Sequence, residues 1–177
     1  MRSKYKIHDQ EGVYFITSTV VEWIPIFTSK PYFDILVSSI QYCQEYYDLA
    51  VFAWVILENH FHMVCTALEL SKVMQSLKRH TAKMLILQLE EDRKKWILDL
   101  LKFYKKRHKT ESEYQFWQEG VHPQLITSIE MLNQKIEYVH FNPVKRGYVT
   151  EPEHWVYSSA CDYSGKKGIV EIQPLPV

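Results

Sequence analysis

Two histidines separated by one residue, His60 and His62, are the first feature of the sequence that suggests chemistry. If this segment is a strand, the two imidazoles point to the same face, roughly 7 Å apart along the chain, because alternate residues of a strand share a face. Imidazoles at that spacing can converge on one metal ion. The alternative is two ordinary histidines at the rim of a sheet, and the triplet alone favours that alternative.

A tyrosine and an asparagine form the second candidate group. Tyr138 and Asn142 are four residues apart, so they share one face of a helix. That face also carries Lys135, and it differs from the apolar stripe that begins with Ile129 and Leu132. Tyr138 is therefore not on the obvious core face. The ordinary interpretation is a tyrosine that covers the edge of the core, and these residues alone favour it.

The distribution of charge points to a polyanionic partner, although the net charge of zero taken alone argues mildly against nucleic acid. Residues 72–109 carry twelve Lys or Arg against four acids. Such segregation is typical of proteins that bind polyanions, while the alternative is a solvated helix face. The candidate phosphate contacts are Lys78, Arg79 and Lys83 in this segment, with Lys145 and Arg146 in a basic turn after Pro143.

The composition fits one folded domain with a real core, since 46% of the 177 residues are hydrophobic. No apolar stretch approaches the roughly 18 to 20 residues that cross a membrane, and the basic start is not followed by a signal-peptide core. The three cysteines are far apart and form no C-x-x-C pair, which argues against a disulfide framework or a structural zinc site. We expect a cytoplasmic protein with no membrane partner.

The elements that must position these groups alternate between strands and helices. β-Branched and aromatic runs predict strands at 13–21, 49–57 and 60–67, with an interrupted fourth strand at 114–117 and 125–126. Helical spacing predicts helices from about Pro31 to 48, from an N-cap at Ser71 past 87 with a break near 90–92, and from 128 to a stop at Pro143. The first six elements predict an α+β, ferredoxin-like split βαβ fold, an antiparallel sheet with helices on one face.

Four segments, in this order along the chain, resemble motifs of the single-strand tyrosine transposases, in particular of their REP-associated branch. The motifs are the histidine–hydrophobic–histidine (HUH) motif at 54–64 (WVILENHFHMV), the Trp-containing strand at 116–120 (FWQEG), the tyrosine helix at 136–149 (IEYVHFNPVKRGYV) and the tail signature at 155–159 (WVYSS). Together they span nearly the whole chain. One departure is Glu58, since relatives commonly have proline just before the turn; the change removes loop rigidity but no chemical group.

The resemblance implies a site and an activity. His60 and His62 match the metal-binding histidines, Tyr138 matches the nucleophile, and Asn142 matches the third metal ligand. Two imidazoles and an amide suit Mg²⁺ or Mn²⁺, and the imidazoles would also tolerate Ni²⁺, Co²⁺ or Zn²⁺. The implied activity is that of a transposase, which cleaves and transfers single-stranded or hairpin DNA through a 5′-phosphotyrosine link.

The same resemblance implies the organisation of the chain. We expect residues 1–150 to form the catalytic domain and 151–177 to form a C-terminal tail that packs on it, in a monomer or a homodimer. Relatives often have a histidine near the position of His122, which makes His122 either a residue that approaches the site or a surface loop residue. Two alternatives stay open: a non-catalytic DNA- or RNA-binding protein on this fold, and a metal-dependent hydrolase that uses water while Tyr138 is structural.

Overall fold

The computed structural model describes residue 7 and residues 12–175. The predicted basic start, residues 1–6, lies outside the described residues. The main elements are β1 (Tyr14–Thr19), α1 (Lys30–Tyr47), β2 (Ala50–Leu57), β3 (His60–Thr66), α2 (Leu70–Glu91), α3 (Lys95–Phe103), β4 (Gln124–Leu125), α4 (Ile129–Lys145) and α5 (Ala160–Tyr163). Among these described residues, no helix combines the length and the apolar character that crossing a membrane requires.

The four strands form one antiparallel sheet in the order β2-β3-β1-β4. This is the strand order of the split βαβ motif, in which β3 is inserted between β1 and β2. The predicted α+β, ferredoxin-like fold is therefore confirmed. The register sets Thr17 opposite His62 and Thr19 opposite His60, so these four residues share one face of the sheet.

The two faces of the sheet are covered by different helices. α1 and α2 contact each other and pack on one face, where they enclose the larger core. The expectation of helices on one face holds for this pair. α4 instead packs on the opposite face, where its apolar stripe meets β-strand side chains such as Phe15, Val55 and Val64. The face that α4 covers is the face that carries His60 and His62.

The C-terminal end of α4 differs from the prediction that Pro143 stops the helix. Pro143 lies inside α4, which continues to Lys145. A proline has no N–H to give to the carbonyl of Val139, but only the last turn follows it, so one bond is lost and the helix is kept. After the C-cap Arg146 the chain turns away at Gly147, whose φ of 74° is the left-handed conformation that glycine adopts without strain, and whose N–H bonds to Val144 O at 2.9 Å.

The start of α2 also differs by two residues from the prediction. Ser71 was expected to be the N-cap, but it lies in the first turn of α2 and Glu69 is the N-cap. The backbone carbonyl of Glu69 accepts from the N–H groups of Lys72 and Val73 at 2.8 and 3.0 Å, which begins the helix without any side-chain cap. The predicted break near residues 90–92 is confirmed by the end of α2 at Glu91.

The fourth strand is interrupted, as predicted. β4 itself has only two residues, yet the chain before it already follows β1: Gln118 N bonds to Thr19 O at 2.8 Å and His122 N to Thr17 O at 3.3 Å. Between these two bonds the chain has extra residues that pair with no residue of β1. They form a small loop, and Gly120, at a φ of 75°, makes its turn. This bulge brings Gln118 and His122 beside the edge of β1.

The segment after α4 packs along the free edge of β2. Trp155 Nε1 donates to Ile56 O at 2.9 Å, Ile56 N bonds to Tyr157 O at 2.9 Å, and Ser159 N bonds to Trp54 O at 3.0 Å. These bonds occupy backbone groups that an edge strand would otherwise leave open. A domain boundary near residue 150 stays a prediction.

Candidate active site

The imidazole pair lies on the face of β3, which has a neighbouring strand on each side. Both side chains are buried, and their ring centroids are 4.8 Å apart. Alternation along the strand accounts for the shared face, because His60 and His62 are at positions i and i+2. The two rings are therefore close enough to share one ligand.

Hydrogen bonds engage the Nδ1 atom of both rings, which leaves the same nitrogen of each, Nε2, for a ligand. His60 Nδ1 donates to Asn59 Oδ1 at 2.6 Å, and Asn59 Nδ2 donates to Trp23 O at 3.0 Å, which fixes the amide oxygen toward the ring. His62 Nδ1 is 2.8 Å from Thr17 Oγ1, which can accept from it. With Nδ1 protonated, each ring presents a lone pair at Nε2.

The imidazoles are also held in their neutral form. Burial lowers the pKa of His62 to about 3, with smaller contributions from His60, Arg146 and Lys135. Burial, with Arg146, lowers the pKa of His60 to about 4, against an opposing effect of Glu58. Neutral imidazoles can donate lone pairs to a cation at neutral pH.

One atom of the pair lacks a partner. Within the part of the chain that the structure describes, His62 Nε2 is buried and makes no hydrogen bond. A buried polar atom without a partner costs free energy, and a ligand that accepts its lone pair would remove that cost. The donor set at this position therefore fits a divalent cation.

Tyr138 meets the imidazole pair from α4. Its ring centroid is 5.3 Å from that of His62 and 5.8 Å from that of Phe15, in edge contacts, and 42% of the residue is exposed. Phe15 also stacks on His62 at 5.3 Å. The phenol therefore covers the edge of the core, as the ordinary interpretation requires, and is open to solvent beside the imidazoles, as a nucleophile requires.

Asn142 lies one turn after Tyr138 on α4 and is buried. Its side chain makes no hydrogen bond to any described residue, so its amide is available to a ligand. Across the described ranges, no three His, Cys, Asp or Glu side chains are grouped as metal ligands. A third protein ligand beside His60 and His62 would therefore be a side chain of another type, and the amide of Asn142 is the candidate on α4.

Two lysines of α4 lie against aromatic rings of this site. Lys145 Nζ is 5.6 Å from the ring centroid of Tyr138, and Lys135 Nζ is 4.7 Å from that of Phe15. Neither lysine is ion-paired with a carboxylate among residues 12–175. Both ammonium groups are therefore free to meet phosphate.

Arg146 has a partner that the sequence does not reveal. Its Nη1 contacts Glu58 Oε1, which joins the end of α4 to the turn between β2 and β3. Glu58 is the residue at which the sequence departs from the motif that it resembles. The ion pair thus ties the helix that carries Tyr138 to the turn that precedes His60.

We expect the Glu58–Arg146 pair to stabilise the fold by about 1 kcal/mol, since both side chains are only partly exposed, at 22% and 34%. A double-mutant cycle with Glu58→Ala and Arg146→Ala, followed by urea unfolding, measures this coupling. The exposed pair Lys30–Asp34 on α1 is the matched control, with an expected coupling below about 0.5 kcal/mol. Equal, near-zero couplings would show that Arg146 is not held by Glu58.

The candidate phosphate contacts on α2 are on the other face of the sheet from Tyr138, because α2 packs with α1. Lys78 Nζ donates to the carbonyls of Gln118 and Gly120, and burial, with Lys109, lowers its pKa to about 8. Lys78 therefore holds the loop before β4. Arg79 and Lys83 are exposed and four residues apart, so they share one helix face.

The basic run at residues 102–109 is partly neutralised by acids that follow it. Lys102 pairs with Glu113 at 2.9 Å, while Lys106 and His108 pair with Glu119 at 2.8 and 2.5 Å. Both acids follow residues 72–109, the segment in which the sequence has its excess of basic residues. Arg107 of the run is exposed and has no carboxylate partner among residues 12–175, so free cations remain both in the run and on α2, where Arg79 and Lys83 are likewise unpaired with carboxylates.

The structure adds residues that the sequence did not single out. Phe15 and Thr17 of β1 contact His62, and the ring centroid of Trp23 is 5.6 Å from that of His60. Only the pairing register of β1 with β3 could have identified the first two. His122 is exposed and bonds through its backbone to Thr17, which brings it near the site from the edge of β1.

No family model matches the sequence, and no curated protein sequence matches it significantly. Among solved structures, the chain is similar to that of a REP-associated tyrosine transposase bound to a REP hairpin, with a TM-score of 0.66 and 18% sequence identity. The likeness covers 100% of this chain and 94% of that chain. At this identity it shows that the two chains share a fold, over all of this chain and nearly all of the other.

Proposed function

We propose that the protein is a metal-dependent enzyme that cleaves and rejoins single-stranded DNA, with Tyr138 as the nucleophile. The observation that carries the proposal is the position of Tyr138: its ring is 5.3 Å from that of His62, and 42% of the residue is exposed. A phenol that is open to solvent beside two neutral imidazoles has access both to a substrate and to whatever those imidazoles bind.

His60, His62 and Asn142 would hold the cation, with Mg²⁺ or Mn²⁺ as the expected ions. His62 Nε2 supports this assignment, because it is buried and no residue in the described part of the chain hydrogen-bonds to it. Such a cation, when bound, neutralises charge on the scissile phosphate and on the departing 3′ oxygen.

Tyr138 would attack the phosphorus through its hydroxyl oxygen. The bond between phosphorus and the 3′ oxygen breaks, the phenol loses its proton to water, and the 3′ oxygen takes up a proton. The products are a 5′-phosphotyrosine link and a free 3′ hydroxyl. Because the phosphoester is retained on the enzyme, another 3′ hydroxyl can reverse the step and join strands.

Lys145 and Lys135 would bind phosphates next to the reacting one. Their ammonium groups rest on the rings of Tyr138 and Phe15 and have no carboxylate partner among residues 12–175. A cation that is positioned but unpaired can bind a phosphate without first breaking an ion pair.

The fold neighbour supports the substrate class that we propose. The similar solved structure is that of a REP-associated tyrosine transposase with a REP hairpin. We propose that this chain likewise acts as a transposase on single-stranded or hairpin DNA, in the cytoplasm. All the proposed groups belong to one chain, so the site can work in a monomer as well as in a homodimer.

The test uses hairpin DNA with single-stranded flanks, labelled at either end and incubated with the protein and Mn²⁺ or Mg²⁺. We expect a covalent adduct on a denaturing gel that carries the label of the strand with the 5′ phosphate, and a free 3′ hydroxyl on the other fragment. Binding without cleavage would support the non-catalytic alternative. Cleavage without an adduct would support a hydrolase that uses water.

Arg79 and Lys83 supply a separate prediction about DNA affinity. If both contact phosphates, the double variant Arg79→Ala/Lys83→Ala loses about 1.4 from the slope of log affinity against log salt, or about 0.7 for each contact on a single strand. Fluorescence anisotropy across a salt series measures the slope. The control is Lys30→Ala/Lys95→Ala, whose lysines are ion-paired with Asp34 and Asp99. Equal slopes for the two variants would remove α2 from the DNA interface.

A further inference from the structure

Trp23 is a large apolar side chain displayed to solvent beside the candidate site. It follows β1 in a short 3-10 turn, and 54% of it is exposed. Its ring contact is with His60, at 5.6 Å between centroids and 75° between planes. Trp23 contacts no other aromatic ring of residues 12–175 and belongs to neither hydrophobic cluster, so it contributes little to the core.

The backbone under this side chain is in an unfavourable conformation. Glu22 and Trp23 both have positive φ, at 49° and 57°, and neither is a glycine or an asparagine. For a bulky residue this is an outlier, and such conformations persist where the surroundings hold them. They are also concentrated at functional sites, where the strain serves to display a group.

Hydrogen bonds on both sides of Trp23 hold the turn in place. Val21 N bonds to Phe116 O at 2.8 Å, and Trp23 O accepts from Asn59 Nδ2 at 3.0 Å. Asn59 also accepts from His60 Nδ1, at 2.6 Å. The same amide therefore orients His60 and anchors Trp23, so the indole has a fixed position relative to the imidazole pair.

We infer that Trp23 is a stacking platform for one unpaired base of the DNA strand, next to the phosphate that the site cleaves. The inference rests on the proposed function and adds the residue that recognises an unpaired nucleotide. Aromatic side chains bind single strands by stacking on bases, which is tolerant of sequence because every base has a flat face. In a duplex that face is covered by neighbouring base pairs, so this contact favours single-stranded flanks.

The experiment measures equilibrium binding of hairpin DNA with thymidine flanks, in a Tyr138→Phe background that prevents covalent capture. Trp23→Ala is expected to raise Kd roughly 5- to 150-fold, the range that stacking on one base provides. Trp23→Phe keeps a flat ring and is expected to recover most of the affinity. Trp96→Ala is the matched control, because Trp96 is 58% exposed on α3, which packs with α2 away from His60.

Flanks with a single abasic position locate the base that stacks. At one flank position the abasic substitution is expected to raise the Kd of the Tyr138→Phe protein as much as Trp23→Ala does. The same abasic flank is expected to cause no further rise in Kd when Trp23 is already replaced by Ala. Trp23→Gly separates binding from stability. Glycine adopts positive φ freely, so this variant is expected to unfold at no lower temperature while losing the same affinity.

The inference is overturned if Trp23→Ala binds as tightly as the background protein, or if Trp96→Ala loses as much. It is also overturned if the loss from Trp23→Ala is the same with every abasic flank. Failure of the proposed function has a different signature, namely that the protein with Tyr138 intact forms no adduct with any hairpin. If the protein forms the adduct but Trp23→Ala leaves the Kd unchanged, the proposed function stands and only the role of Trp23 as a stacking platform is wrong.

Discussion

Tyr138→Phe is expected to abolish covalent attachment to DNA and to lower cleavage by at least about 10³-fold, as removal of a nucleophile does in other enzymes. The variant keeps the ring, and with it the edge contacts to His62 and Phe15. Because the residue is 42% exposed, we expect the free energy of unfolding to change by less than about 0.5 kcal/mol. Adducts are counted on a denaturing gel, and DNA affinity is measured in parallel and should be unchanged.

Tyr42→Phe is the control for this variant, because Tyr42 is a similarly exposed tyrosine, at 52%, on α1. It should form adducts at the rate of the unmodified protein. Metal-dependent cleavage that survives Tyr138→Phe would assign the chemistry to water and leave Tyr138 a structural residue at the edge of the core.

His62→Ala is expected to remove metal binding and to lower cleavage by about 10³-fold or more, equivalent to about 4 kcal/mol of transition-state stabilisation. The physical reason is that His62 Nε2, which is buried and has no partner among the described residues, supplies one of two imidazole ligands to the proposed cation. Electron paramagnetic resonance of free Mn²⁺ measures the binding directly, and single-turnover cleavage measures the activity. His60→Ala should have an effect of the same order.

His140→Gln is the matched control, because His140 is also a buried histidine on the α4 side whose pKa is lowered by burial to about 4. Its Nε2 is 2.9 Å from Ser159 Oγ, in the contact with the C-terminal segment. The substitution should affect stability and leave Mn²⁺ binding intact. Equal loss of Mn²⁺ binding in the His62 and His140 variants would point to general destabilisation rather than to a ligand.

Local patterns in the sequence predicted the parts of the site that depend on local geometry. Alternation along a strand put His60 and His62 on one face, and a spacing of four put Tyr138 and Asn142 on one face of α4. The break after Glu91 and the interruption before β4 were also visible in the pattern. Each of these features depends on a few neighbouring residues, which is why they could be inferred without a structure.

The contact between the imidazole pair of β3 and the phenol of α4 could not be derived from the patterns. The apolar stripe of α4 predicts that one side of the helix is buried, but not which face of the sheet buries it. That choice depends on Phe15, Val55 and Val64, which come from three separate strands. The resemblance to the tyrosine transposases supplied the expectation that the phenol and the imidazoles meet, and the packing of α4 brings them together.

Charge was the least predictable feature, because a sequence gives the number of charges and not their partners. The sequence predicts that Arg146 contacts phosphate. In the structure Arg146 contacts Glu58, a residue that precedes it by 88 positions. Lys78 likewise bonds to backbone carbonyls of a distant loop. Local pairing rules cover only neighbours three or four residues apart, so contacts of this kind emerge only from the fold.

Anomalous diffraction from crystals grown with Mn²⁺ and a hairpin oligonucleotide tests the central claim most directly. We predict one strong Mn²⁺ peak coordinated by Nε2 of His60 and of His62, on the side of the pair that faces α4 and Tyr138. If the protein cleaves the same oligonucleotide in the same solution and no Mn²⁺ peak lies at this position, the assignment of the site is contradicted.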